Sequence, residues 1–312
     1  MHRFLLLLLC ALLASAARAQ VDVSLSVAQA QFLPAEQIEV SVKVSNFTGA
    51  PLKFGAHTNW ITFTVQRADG TVVGKLAEVA DSGEFTLQQA TSGTIKFDIT
   101  PMFEVNRPDS YRVTAAVTPV QGGPVFVSPP LPFDVISGVR ISQDRTFGFT
   151  RPDGTSEQRK YILQQANFLK HVRLYVRVTD ATESKSYKVT SLGGIVNFTP
   201  PQWVIDRQSR LHVLHQFAAS EYYYNSFDPE GNLVARRIYK IAARRPELRV
   251  NDDGEIAVIG GTRRLDRTDI PEPTDAELAA ARRALQPVAP KPAVPVGKDA
   301  ATTDAPTKKK QR

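Results

Sequence analysis

Pro201, Trp203, Ile205, Asp206, Leu211 and Val213 recur as Pro246, Leu248, Val250, Asn251, Ile256 and Val258, every pair 45 residues apart. Matches at one fixed spacing mean that the chain builds the same supersecondary unit more than once. Each such unit must bury its apolar face against a neighbour. Upstream, Tyr187-Lys188-Val189 resembles Tyr239-Lys240-Ile241 at a spacing of 52, so the first copy carries about seven extra residues. A more degenerate copy begins near Pro152-Asp153-Gly154. Tight turns such as Asp228-Pro229-Glu230-Gly231 and Asp252-Asp253-Gly254 separate alternating apolar and polar positions, so each copy reads as a meander of short strands.

A period near 45 with several strands per unit resembles the β-propeller-type repeats of exported bacterial proteins. Residues 138–265 hold at most three units, whereas propellers close with about four or more. The expectation is a propeller-blade-like β-repeat domain that does not close. Either its units pack as an open stack, or the chain oligomerises to complete a ring, or the units form a second sandwich.

Residues 20–137 read as strands from the start. Val21, Val23, Leu25 and Val27 alternate with polar partners, as do Ile38, Val40, Val42 and Val44, and again Tyr111, Val113, Ala115 and Val117. About seven such strands in this length is the arithmetic of an immunoglobulin-like sandwich. Asn46-Phe47-Thr48-Gly49-Ala50-Pro51-Leu52 and Pro108-Asp109-Ser110-Tyr111-Arg112-Val113-Thr114-Ala115 resemble bacterial Ig-like modules, most of all the intracellular proteinase inhibitor family. The resemblance implies the sandwich and a tyrosine corner at Tyr111. It carries no inhibitory loop. Asn46 and Asn197, although each opens an Asn-x-Thr sequon, read as loop asparagines.

Residues 1–19 have the order of a secretory signal peptide: His2 and Arg3, an apolar run from Phe4 to Leu13, then Ala17-Arg18-Ala19. Cys10, the single cysteine, lies in that leader, so the remainder forms no disulfide, thiolate metal site or cysteine nucleophile. Residues 20–137 carry 7 Lys and Arg against 11 Asp and Glu, whereas residues 138–267 carry 21 against 14. The change falls beside Pro129, Pro130 and Pro132, where the domain boundary is placed. A basic half in an exported chain suits anionic polymers or headgroups. In residues 268–312, Thr274-Asp275-Ala276-Glu277 is a capping box for a short helix at about 275–286. A Pro/Ala/Lys tail then follows, too polar to fold.

Catalytic signatures are sparse. There is no Gly-x-Ser-x-Gly elbow. His212 and His215 are three apart in a strand-like run, which aims them at opposite faces rather than at one metal. The aromatic run Tyr222-Tyr223-Tyr224 is the strongest binding candidate, with Tyr222 and Tyr224 on one face and Tyr223 and Phe227 on the other. Tyr222 and Tyr224 are taken as the ligand-facing pair, with Arg236 and Arg237 of the neighbouring strand adding hydrogen bonds to a carboxylated ligand.

The sequence therefore predicts an all-β, exported, periplasmic or extracellular protein without cofactor or metal. It is expected to be a non-enzymatic binding or structural protein of the envelope, with a polysaccharide or protein partner. Nucleic acid is not expected, nor a membrane span. The alternative is a carbohydrate-active enzyme with its site on the repeat domain. A clustered carboxylate pair beside exposed tyrosines favours the enzyme; an aromatic and arginine surface without one favours binding.

Overall fold

The computed structural model describes residues 21–80, 83–151, 153–196 and 199–271, all β and turn, with no helix among them. The leader, the helix expected at 275–286 and the Pro/Ala/Lys tail lie outside the described residues.

The amino-terminal half is a β-sandwich built from β1 (Val21–Val27), β2 (Gln31–Phe32), β3 (Glu39–Asn46), β4 (Leu52–Phe54), β5 (Ile61–Arg67), β6 (Phe85–Leu87), β7 (Thr91–Asp98), β8 (Asp109–Val117), β9 (Phe126–Val127) and β10 (Leu131–Val135). One sheet runs β1-β3-β7 and the other β2-β10-β8-β5, with β9 on β8 and a separate β4-β6 pair. Alternation sends Val40, Val42 and Val44 of β3 into one core with Phe63 and Val65 of β5 and Val113 and Ala115 of β8. The Tyr111 hydroxyl donates to the Arg107 carbonyl at 2.8 Å, a tyrosine-corner bond that ties β8 to the loop before it. Asn46 is fully buried where β3 ends. Its amide nitrogen donates to the Ala50 and Leu87 carbonyls, and its Oδ1 accepts from the Thr48 backbone and hydroxyl.

The second half begins with β11 (Val139–Arg140), β12 (Arg145–Thr150), β13 (Ser156–Phe168), β14 (His171–Asp180) and β15 (Ser186–Gly194). A second meander follows in β16 (Gln202–Ile205), β17 (Leu211–Ala218), β18 (Glu221–Phe227) and β19 (Leu233–Lys240). The third unit is only a hairpin, β20 (Glu247–Val250) and β21 (Ile256–Ile259), after which β22 (Thr262–Arg264) returns to pair with β19. The matched hairpins share one turn geometry, which also occurs at Arg67–Thr71 and Asp228–Asn232. In the turns Arg151–Thr155, Asp206–Arg210 and Asn251–Glu255, the first N–H donates to the fifth carbonyl and the fourth N–H to the first carbonyl. The fourth position has positive φ in each, as Gly154, Ser209 and Gly254. The 45-residue period thus equates β16-β17 with β20-β21, and the degenerate early copy with β12-β13.

The units stack without closing. Leu163, Leu174 and Val176 of the first pack on Leu211, Val213 and Phe227 of the second. The other face of the second unit, through Leu214, Tyr222, Tyr224 and Ala235, meets Leu248 and Val258 of the hairpin. The other face of the first unit, through Ala166, Tyr175 and Val189, meets Leu33 and Ala35 of the sandwich. Both full sheets are therefore covered on both faces. Among the described residues the hairpin is the last unit of the stack, with Glu247 and Arg249 exposed and 3.3 Å apart, a polar face of the kind a capping repeat needs.

Candidate binding site

Strand β18 is central in its sheet, paired with β17 on one side and β19 on the other. In this register Tyr223 lies opposite His215 and Ile238, and Asn225 lies opposite Val213 and Arg236. Period-two alternation then sorts the run. Phe227 enters the core against the first unit, so Asn225 and Tyr223 share that side, while Tyr222 and Tyr224 face the terminal hairpin.

The two tyrosines taken from the sequence as ligand-facing are thus in the core, Tyr222 4% and Tyr224 2% exposed. The cause is the hairpin, whose Leu248 and Val258 join Tyr239 and Ile241 in covering them. Their hydroxyls are spent internally: Tyr222 donates to Gln216 Oε1 at 3.2 Å, and Tyr224 lies 2.8 Å from His212 Nδ1. Arg237 is on the same side, its guanidinium 5.7 Å from the Tyr224 ring. Arg236 is on the other side, 5.4 Å from the Tyr223 ring.

Around Tyr223, polar and aromatic groups converge on the side of the second unit that faces the first. Phe217 stacks on Tyr223 at 3.8 Å between centroids, and both rings are half-buried. Gly193, at φ 96°, is the next-to-last residue of β15, and a Cβ built there would lie 3.9 Å from Tyr223 Cε2. A glycine at this position accepts the positive φ and leaves the ring uncovered. Beneath Tyr223 lies His215, 5.8 Å ring to ring and 1% exposed.

The electrostatics of this cluster are unusual. Arg236 donates from Nε to Asn225 Oδ1 at 2.9 Å, and no carboxylate pairs with its guanidinium among the described residues. Both ring nitrogens of His215 and Nδ2 of Asn225 have no hydrogen-bond partner among those residues. The Gly194 backbone approaches the imidazole without reaching bonding geometry. Burial, and then the Arg236 charge, pull His215 down to about 3, so the imidazole is neutral at ordinary pH. Burial also lowers Arg236, which nonetheless keeps its charge. The result is a partly buried cation, bonded through Nε to a neutral amide, beside a partly buried aromatic pair. Such a set suits a planar carboxylate next to a ring with an apolar face.

A second polar network lies on the opposite side of β17. The Asp206 carboxylate is 3.0 Å from His212 Nε2, and His212 Nδ1 is 2.8 Å from the Tyr224 hydroxyl. Arg210 Nε also donates to Asp206, at 2.7 Å. Burial opposes ionisation of Asp206, but the bonds from His212 and Arg210 outweigh it and hold the carboxyl well below its usual range. This network is buried, Tyr224 at 2% and His212 at 3% exposed, and ties β16, β17 and β18 together. His212 and His215 accordingly point to opposite faces, and no group of three metal-ligating side chains occurs among the described residues. Asp228 and Glu230 sit in the turn after β18, at the end away from Tyr223, where Asp228 accepts from Asn232.

Phe217, Tyr223, His215 and Asn225 do not stand out in the sequence as site residues. Their one signal is the shared parity of Tyr223 with Phe227, which becomes informative only once Phe227 is known to enter the seam.

No protein-family model matches the chain, and no curated protein matches it. Among solved structures the chain is similar to Spo0M, the sporulation control protein of Bacillus subtilis, at 12% identity over 52% of this chain and 80% of that one, with a TM-score of 0.27. It is also similar to the periplasmic chaperone SfaE, at 14% identity over 69% of this chain and 96% of that one, with a TM-score of 0.24. Likenesses this loose carry no argument about function.

Proposed function

We propose that the protein is a non-enzymatic binding protein of the cell envelope, exported by residues 1–19, whose repeat domain holds a carboxylate-bearing polysaccharide at Tyr223 and Arg236. One observation carries this reading: Arg236 is a half-buried guanidinium without an acidic partner among the described residues, set against a half-exposed aromatic stack. A partly buried guanidinium bonded only to a neutral amide keeps its attraction for an added carboxylate. Glu221, the nearest acid on the same strand, is paired with Lys240 and Arg264, and Asp228 and Glu230 lie at the other end of β18. No helix among the described residues is long and apolar enough to cross a membrane.

The test is retention of the full chain on an immobilised uronate polymer and on a neutral glucan. Wild type should be retained on the uronate alone, and Arg236→Gln should weaken this at least tenfold without unfolding the domain. Equal retention of wild type and Arg236→Gln, or retention of neither, sinks the reading. Binding instead to a protein from the envelope, still lost with Arg236→Gln, would move the ligand class to a carboxylate-bearing peptide.

A further inference from the structure

Where the sandwich meets the first repeat unit there is a cleft of about 360 Å³. Its floor is the loop between β2 and β3, and that loop is rigidly built. Glu36, 7% exposed, accepts from the Leu33 backbone at 2.8 Å and from Gln29 Nε2 at 2.9 Å. Its backbone also bridges to Val189 of β15, which joins the two domains directly. Leu33 and Ala35 pack on Ala166, Tyr175 and Val189. So held, Ala35 keeps φ at 63°, a left-handed conformation that an L-residue rarely adopts unless its surroundings impose it.

The wall of the cleft is basic. Arg177 and Lys185 both line it, together with Asn106, Ser184 and Ser186. Arg177 donates from Nε to Ser186 Oγ at 2.9 Å and has no carboxylate partner among the described residues. Lys185 lies with Nζ 5.0 Å from the Tyr187 ring, also without an acidic partner among those residues. Each neighbouring acid already has partners, Asp180 among them through the cleft residues Ser184 and Lys185. Asp180 accepts from Thr182, Ser184 and the Lys185 backbone. Glu183 pairs with Arg140 and Lys160, and Glu157 with Arg151 and Arg159. A preformed cavity of this size, with two unneutralised cations and hydroxyl and amide groups but no lining carboxylate, is complementary to an anion.

We infer that this interdomain cleft is a second binding site, distinct from the Tyr223–Arg236 cluster, for a small ligand bearing a phosphate or carboxylate group. The oxyanion accepts from Arg177 and Lys185 on one wall, while Asn106 of the sandwich contacts it from the other. Because both domains line the site, occupancy stabilises their contact.

The experiment follows thermal unfolding of the full chain in inorganic phosphate, in acetate, and in chloride at matched ionic strength. At about ten times Kd, a site-specific anion should raise the midpoint by roughly 3 °C. The two arms separate a phosphate ligand from a carboxylate one. Arg177→Gln and Lys185→Gln should each reduce the response, whereas Ala35→Gly, which relaxes φ and leaves the charges, should retain it. Arg236→Gln should also retain it, which separates this site from the polysaccharide site. The inference is overturned if neither anion exceeds chloride, if Arg177→Gln and Lys185→Gln keep the full response, or if the response is lost with Arg236→Gln alone.

Discussion

Phe217 and Tyr223 stack at 3.8 Å between ring centroids because the pairing of β17 with β18 slips between Gln216 and Ala218. Phe217 occupies that irregularity, which swings its ring beside Tyr223. Bulges re-aim single side chains in this way next to binding sites. Arg236 also lies against this stack, 5.4 Å from the Tyr223 ring.

The three tyrosines of β18 should therefore behave differently on truncation. Tyr222→Ala and Tyr224→Ala each empty space in a covered face and should cost about 3 kcal/mol of stability. Tyr223→Ala should cost less, about 2 kcal/mol, because the ring is only partly buried, yet weaken binding to the uronate polymer about tenfold. Urea unfolding beside a binding isotherm reads both. A loss of stability for Tyr223→Ala equal to that for Tyr224→Ala would make Tyr223 a core ring and remove it from the site.

How far these features are legible in sequence depends on what each residue competes with. Val40, Val42 and Val44 alternate against water, so the pattern alone tells the buried side. The 45-residue matches likewise set β16-β17 and β20-β21 in equivalent positions, because each copy spends the same apolar residues on the same hairpin. Tyr222, Tyr223 and Tyr224 give no such answer, because the sheet is covered on both faces and the alternation carries no water side. What decides their exposure is how far the hairpin and β15 extend over each face, and β15 stops in two glycines above Tyr223. That Arg236 has no acidic partner among the described residues is equally hidden, since it is a property of the packed units, not of spacing.

His215 makes the fold acid-sensitive. Its folded value lies near 3 while an unfolded imidazole sits near 6.5, so between those limits the unfolded chain binds a proton that the folded chain refuses. Stability must fall as pH drops from 6.5, by about 1.4 kcal/mol per unit from this group. His215→Leu keeps the volume and removes the proton site. Between pH 7 and pH 5, the unfolding free energy of wild type should drop about 2 kcal/mol more than that of the variant. Parallel losses in the two proteins would show that the imidazole is not the group being titrated.

The Asp206–His212–Tyr224 network should read as bracing rather than chemistry. Tyr224→Phe leaves a buried His212 nitrogen without its partner and should cost about 1–3 kcal/mol. His212→Phe in the same chain removes the stranded group, so the double variant should recover part of that loss despite a second substitution. Asp206 adds its own pH dependence: its lowered carboxyl contributes stability above the unfolded value near 4, and loses it as pH falls further. Additive losses in the double variant would contradict a coupled pair.

The terminal hairpin is the part of the stack most open to attack. β20-β21 is held to the second unit by Leu248 and Val258 and by one Leu248 N–H donated to Gln202 Oε1 at 2.8 Å. Leu248→Asp puts a charge against Leu214, Tyr222 and Tyr224, and should cost more than the hairpin's own contacts supply. In an open stack each unit leans only on its neighbours, so the damage should spread inward from the end and fade. Hydrogen exchange should therefore show lost protection in β20, β21 and β22 first, then in β18 and β19, with β13, β14 and the sandwich unchanged. Uniform loss across both domains would instead mean that the repeat units and the sandwich unfold as one cooperative body.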